Sequence, residues 1–138
     1  FKKYFKRFIF RGAEEFLSCL NKKDYLLGLV TGTPEEEINR ILPKQIKVFF
    51  NSIVAGNDVK NGKPHPEPYL KSAKELGLWP YECVVVENAP FGIQSAKRAG
   101  MFCIAITTSL PKEYLKEADF VVRELSEITA IIDKSCKL

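Results

Sequence analysis

Glu87 and Asn88 close a run of three valines, Val84-Val85-Val86. A β-branched apolar run that ends in an acidic-amide pair reads as a buried parallel strand with polar residues at its carboxyl end. Pro90 and Gly92 follow, and then a stretch with helical spacing. Ligands of α/β proteins bind beyond the carboxyl ends of such strands. A carboxylate beside an amide there suits a hard cation such as Mg2+, which takes oxygen ligands. The same carboxylate also reads as a loop solvator or as a charge favoured by the N-terminus of the next helix.

Two other segments carry comparable chemistry. Thr31-Gly32 follows a short apolar run, residues 26–30, and precedes a helical pattern. Backbone N–H groups at such a junction can bind phosphate, helped by the helix dipole. The plainer reading is a loop that caps a helix, with Thr33 as N-cap, Pro34 at the first helical position and Glu36 completing a capping box. Lys63 lies in Gly62-Lys63-Pro64-His65-Pro66-Glu67-Pro68-Tyr69. Prolines stiffen that backbone, and a rigidly held ammonium can neutralise a phosphoryl group during transfer. A solvated loop lysine is the alternative. His65 is the single histidine. It reads as a loop residue or helix start, and no Ser-His-Asp arrangement can be argued from it.

These residues need strands and helices to bring them together. Apolar spacing predicts helices over residues 13–21, from 34 to about 41 or 42, 69–76, 91–99 and 126–136. Strands are predicted over 26–30, 53–55, 83–86, 103–106 and 120–122. Pro43 ends the second helix, and Gly77 is the expected C-cap of the third. Residues 48–50 are mixed, and 107–115 hold a loop and a short helix. Residues 56–68 form a long polar loop, of a length that is often functional. Strands that alternate with helices indicate a parallel, doubly wound sheet of the α/β class.

Composition narrows the function classes. The 138 residues suit one domain of ordinary size, with 46% hydrophobic and 28% charged residues. No apolar run approaches the ~20 residues that span a bilayer. The net charge of +4 is mild. Its basic start, Lys2, Lys3, Lys6, Arg7 and Arg11, has no accompanying nucleic-acid motif and reads as a solvated helix face. Cys19, Cys83, Cys103 and Cys136 are scattered, with no CxxC pair, so zinc is not expected. Cys83 and Cys103 read as buried small hydrophobes, and a reducing, cytoplasmic compartment is expected. The chain starts with Phe1 and its single methionine is Met101, which suggests a piece of a longer polypeptide.

Taken in order, the strand with Thr31-Gly32, then Gly62-Lys63-Pro64-x-Pro66, then the strand ending in Glu87-Asn88 with Gly92-Ile93-Gln94-Ser95-Ala96-Lys97-Arg98-Ala99-Gly100-Met101, resemble the haloacid dehalogenase-like superfamily of phosphohydrolases and phosphomutases. The likeness runs from about residue 8 to 128. It is nearest the branch with β-phosphoglucomutase and phosphoglycolate phosphatase. The resemblance implies a Rossmann-like core sheet, with Thr31 and the Gly32 backbone on the phosphoryl group and Lys63 steadying the nucleophile and phosphoryl charge. It also implies Mg2+ at Glu87 and Asn88. Family members usually have Glu-Asp there, so Asn88 removes one negative charge.

The larger departure is an absence. The family's nucleophile and general acid/base are the two Asp residues of Asp-x-Asp at the end of a first strand. The Asp residues here are Asp24, Asp58, Asp119 and Asp133, and none forms that pattern. Residues 1–10 resemble the end of a helical cap, and 11–138 a partial core domain lacking its first strand and most of the cap. The implied parent is a Mg2+-dependent phosphatase or phosphomutase of a small phosphorylated metabolite, acting through an aspartyl-phosphate formed upstream. Its implied partners are that metabolite and the missing N-terminal half, with neither nucleic acid nor membrane. A non-catalytic binding module of the same fold is the alternative, and an RNA-binding fragment using residues 1–11 a third. Without the central strand, the remaining strands either expose two inner edges or close on each other.

Overall fold

The computed structural model describes residues 12–135. Its elements are α1 (Ala13–Lys22), β1 (Gly28–Val30), α2 (Glu35–Ile41), α3 (Lys44–Lys47), β2 (Ser52–Val54), α4 (Glu67–Leu76), β3 (Val84–Glu87), α5 (Pro90–Arg98), β4 (Phe102–Ile106), β5 (Phe120–Val122) and α6 (Leu125–Ser135). Short 3-10 turns cover Gly56–Asp58, Pro80–Glu82 and Lys112–Tyr114. The cap segment expected over residues 1–10, the basic start and Cys136 lie outside the described residues.

All strand pairs are parallel, as the alternation predicts. β1 pairs with β2, with Leu29 opposite Ile53. β3, β4 and β5 form a second sheet in that order, with Glu87 opposite Ala105 and Val122 opposite Ile106. β4 is apolar throughout, and its period of two divides the core. Cys103 and Ala105 face Tyr69 and Ala73 of α4 and Ile93 and Ala96 of α5. Ile104 and Ile106 face Leu20 of α1 and Ile128 and Ile132 of α6. Both faces of the sheet are therefore covered by helices, which is why β4 has no polar alternation.

β1 and β3 do not pair. The two sheets stay separate, and an apolar cleft of about 730 Å3 runs between the β1 and β3 edges. Of the two arrangements open from the sequence, the exposed inner edges are the one observed. Leu26 and Val86 remain exposed beside this cleft. Unpaired parallel edges are a template for a further strand.

Local signals failed at two places. Thr33 is not an N-cap: α2 begins at Glu35 with Pro34 in the cap position and no side-chain cap bond. The Thr33 N–H donates to Thr31 Oγ1 instead, and the Asn57 side chain caps the Glu35 N–H. An unforeseen single turn, α3, precedes the mixed residues 48–50 and buries Ile46. Gly77 does terminate α4, with φ of 72°. Cys103 is buried, as expected, and burial pushes its thiol up to about 12. Cys83 is only half-buried, because its neighbours Trp79 and Tyr81 are exposed.

Asp119 ties the turn before β5 to β4. Its carboxylate accepts from Lys97 Nζ at 2.8 Å and from the Cys103 N–H at 2.7 Å. Burial pushes this carboxyl up, but those two donors outweigh it and hold it below its usual value. A depressed folded-state pKa contributes stability above the unfolded value, about 3.9 for Asp, and that stability is lost as pH falls through the folded value. Asp119→Asn should therefore lower stability at pH 7 by about 1 kcal/mol for the weakened bonds, read as a lower urea midpoint. It should also flatten the fall in stability below pH ~4. An unchanged acid limb in the variant would count against this account.

Candidate active site

Thr31, Gly32, Lys63, Glu87 and Asn88 all line the cleft between β1 and β3. The last residues of β1 and β3, Val30 and Glu87, are both bonded by Lys63, so the carboxyl ends of the two strands lie together. The long loop before α4 carries Lys63 across to them. Its ammonium lies 2.6 Å from Glu87 Oε1 and 3.2 Å from the Val30 carbonyl oxygen. The Lys63–Pro64 peptide bond is cis.

Glu87 is 7% exposed, and Lys63 retains 22% of its side-chain surface. A carboxylate this buried requires partners. Besides Lys63 it has Tyr69, whose hydroxyl donates to Glu87 Oε1. The Asn88 N–H reaches Glu87 Oε2 at 3.2 Å. Burial first, and then the Glu87 charge and hydrogen bond, push the Tyr69 phenol well above its ordinary pKa, so it stays a neutral donor. Lys63 Nζ also sits 5.1 Å from the centre of the Tyr69 ring, within cation–π range. Gly92 completes the enclosure. A Cβ there would lie 1.9–2.1 Å from the Glu87 carboxyl atoms.

On the β1 side of the cleft, Thr31 Oγ1 accepts from the Thr33 N–H at 3.1 Å. Its own proton stays free to donate. The Gly32 N–H makes no hydrogen bond among the described residues. Two donors and the Lys63 ammonium thus border one space at the strand ends, an arrangement suited to a tetrahedral oxyanion.

Sequence reasoning passed over Tyr69, which reads as an ordinary apolar position in the first turn of α4. Its hydroxyl, at a site that a phenylalanine could fill, was the available signal. Ser109 was also missed. It accepts from Asn88 Nδ2 at 2.9 Å and ties the departure from the family pattern to the turn after β4. His65 takes its plainer role. Its Nδ1 accepts from the Glu67 N–H at the start of α4.

The fit to Mg2+ is partial. This ion takes six oxygens, often from one or two carboxylates with phosphate and water. Glu87 offers one carboxylate, with Oε1 already shared between Lys63 and Tyr69. Asn88 offers a carbonyl oxygen. Among the described residues no group of three or more acidic, histidine or cysteine side chains could hold a metal. Glu87 and Asn88 by themselves fall short of the oxygen shell that Mg2+ takes.

The sequence model of a family described as haloacid dehalogenase-like hydrolase matches residues 3–106. The chain belongs to that family. This haloacid dehalogenase-like chain is 46% identical to hexitol phosphatase A of Escherichia coli (strain K12) over 119 residues, covering 86% of this chain and 55% of that protein. It is 36% identical to validoxylamine A 7'-phosphate phosphatase of Streptomyces hygroscopicus subsp. limoneus over 118 residues, covering 85% and 55%. Among solved structures it matches β-phosphoglucomutase from Clostridium difficile with a TM-score of 0.76 and 30% identity, covering 89% of this chain and 54% of that one. The chain spans about half the length of these relatives. The Rossmann-like core and the β-phosphoglucomutase/phosphoglycolate phosphatase branch, both expected from the motifs, are those of the matched proteins.

Proposed function

We propose that this chain forms the phosphoryl-binding and metal-side half of a Mg2+-dependent phosphatase or phosphomutase for a small phosphorylated metabolite of the sugar-phosphate kind. The observation that carries the reading is the gathering of Lys63, Thr31, Gly32 and Glu87 at one end of an open strand slot. In this reading Thr31 Oγ1 and the Gly32 N–H hold the phosphoryl oxygens. Lys63 offsets their charge and steadies the nucleophile. Glu87, with Asn88, would hold Mg2+, which when bound shields phosphoryl charge against an attacking carboxylate.

No Asp of this chain serves as nucleophile here. An aspartate on an upstream segment of the same polypeptide supplies it and forms the aspartyl-phosphate, as covalent catalysis by a carboxylate requires. That segment enters the cleft between β1 and β3 as a parallel strand. The apolar lining suits its side chains, and Lys63 waits at its carboxyl end. No helix among the described residues is long and apolar enough to cross a membrane.

The test compares p-nitrophenyl phosphate hydrolysis by this chain and by the polypeptide extended upstream. The chain alone should show no turnover. The extended protein should hydrolyse the ester, and EDTA should abolish the activity. Lys63-dependent turnover by the chain alone would overturn the upstream nucleophile. An extended protein that binds inorganic phosphate without turnover would instead favour the binding module, the reading to which the neutral Asn88 lends support.

A further inference from the structure

A second polar cleft opens at the carboxyl ends of β4 and β5. It encloses about 530 Å3 and is walled by Thr107, Thr108, Ser109, Lys112, Glu113 and Arg123. This is the edge of the sheet at which α/β proteins bind ligands, and the site around Glu87 touches it through the Asn88–Ser109 hydrogen bond. Lys112 and Arg123 make no side-chain hydrogen bond or ion pair among the described residues. Glu127, near Arg123 in sequence, directs Oε2 to the Arg123 and Glu124 N–H groups. Thr108 Oγ1 is buried with no partner among the described residues, a state that protein hydroxyls rarely keep. Ser109 Oγ accepts from Asn88 and keeps its own proton to donate.

The charge balance favours an anion. In the lining, Lys112 and Arg123 face Glu113, while Glu127, whose charge Arg123 feels, lies outside it with Oε2 bound to two N–H groups, and three hydroxyls border the space. Asn88 is neutral where an acidic residue would repel an anion across Ser109. A guanidinium presents a flat fork that matches a carboxylate or a phosphate edge in two-point contact.

We propose that this cleft is a second oxyanion site, which takes a phosphate or carboxylate group on Arg123 and Lys112 with the hydroxyls of residues 107–109. The Asn88–Ser109 hydrogen bond places it next to the first site. A metabolite with one phosphoryl group at Lys63 and a second acidic group here can then use both. That substrate class rests on the reading of the first site as phosphoryl-binding, whereas the second oxyanion site does not.

The test is a titration of the 15N-labelled chain with inorganic phosphate, and separately with acetate, followed amide by amide at constant ionic strength. Saturable shifts are expected at residues 107–112 and at Arg123. In the Lys112→Gln/Arg123→Gln variant they should need at least tenfold more ligand. Both side chains lie outside the two apolar cores, so the variant should keep its fold. Thr31→Val should leave these shifts intact and weaken only those at position 31 and Gly32. Tighter binding of phosphate supports a phosphoryl group, and tighter binding of acetate a carboxylate. Shifts that are absent, do not saturate or survive the double substitution overturn the proposal. Failure of the Thr31 and Gly32 shifts alone counts against the first site and not this one.

Discussion

Lys63→Met should destabilise the chain by about 3 kcal/mol at neutral pH, the low end for breaking a buried ion pair by deleting one partner. The pair is short, 2.6 Å, and unequal in exposure, with Glu87 nearly dry and Lys63 at 22%. Removing the ammonium strands the carboxylate with the Tyr69 hydroxyl and a weak bond from the Asn88 N–H. The partial exposure of Lys63 lets water reach the vacated volume, which is why the low end applies. With a urea slope of about 1.5 kcal/mol/M the midpoint should fall by about 2 M. Lys63→Met/Glu87→Gln separates this cause from lost packing. If the stranded charge dominates, the double variant should recover about 2 kcal/mol of the loss, a coupling usual for residues in contact. A double variant no more stable than Lys63→Met would show that Lys63 acts through its methylenes. In the extended enzyme the same substitution should lower turnover by 10²–10³, the usual effect of deleting one preorganised charge-stabilising group.

The parts of the fold that were legible from sequence share a property: their signal is local and repeats. The valine run before Glu87, the wholly apolar β4 and Phe120-Val121-Val122 each announce a strand, although Val86 and Phe120 are exposed and β4 is the one covered on both faces. Parallel alternation then dictates that Thr31 and Glu87 finish on the same side, which is how residues distant in sequence were placed in one site. Lys63 was legible through its rigid loop, although its contact with Glu87 spans 24 positions.

The illegible parts depend on competition between partners. Thr33 has every local mark of an N-cap, yet the Thr31 hydroxyl takes its N–H and the distant Asn57 caps the helix. Tyr69 looks like core packing because its ring is buried in the cluster around Cys103 and Ala105. Only the buried carboxylate opposite gives its hydroxyl a task. The turn after β4 carried no motif at all, and its polar cleft exists because β5 brings Arg123 beside it. Pattern identifies which residues are polar at strand ends. Which of them share a proton is decided by packing between elements.

Gly92→Ala sets two effects of opposite sign against each other at one atom. In an exposed helix interior the change would stabilise by roughly 0.5–1 kcal/mol, because alanine loses less backbone freedom and has the higher helix propensity. Gly92 is buried in the first turn of α5, and its Cβ would meet the Glu87 carboxyl atoms at 1.9–2.1 Å. Those atoms cannot swing aside freely, since Lys63 and Tyr69 hold one oxygen. Either the carboxylate leaves its partners or α5 moves off the sheet, and overpacking of this kind costs about 3 kcal/mol. The clash therefore wins by about 2 kcal/mol, which for a chain of this size lowers Tm by roughly 6–8 °C. Gly92→Ala/Glu87→Ala gives the helix the same alanine with the obstructing carboxylate gone. It should regain the helix-propensity benefit relative to Glu87→Ala alone, by about 0.5–1 kcal/mol. If Gly92→Ala still destabilises in the Glu87→Ala background, the cradle around the carboxylate is not what requires glycine at this position. If the sign reverses as expected, Gly92 is there to let a helix close over a buried charge.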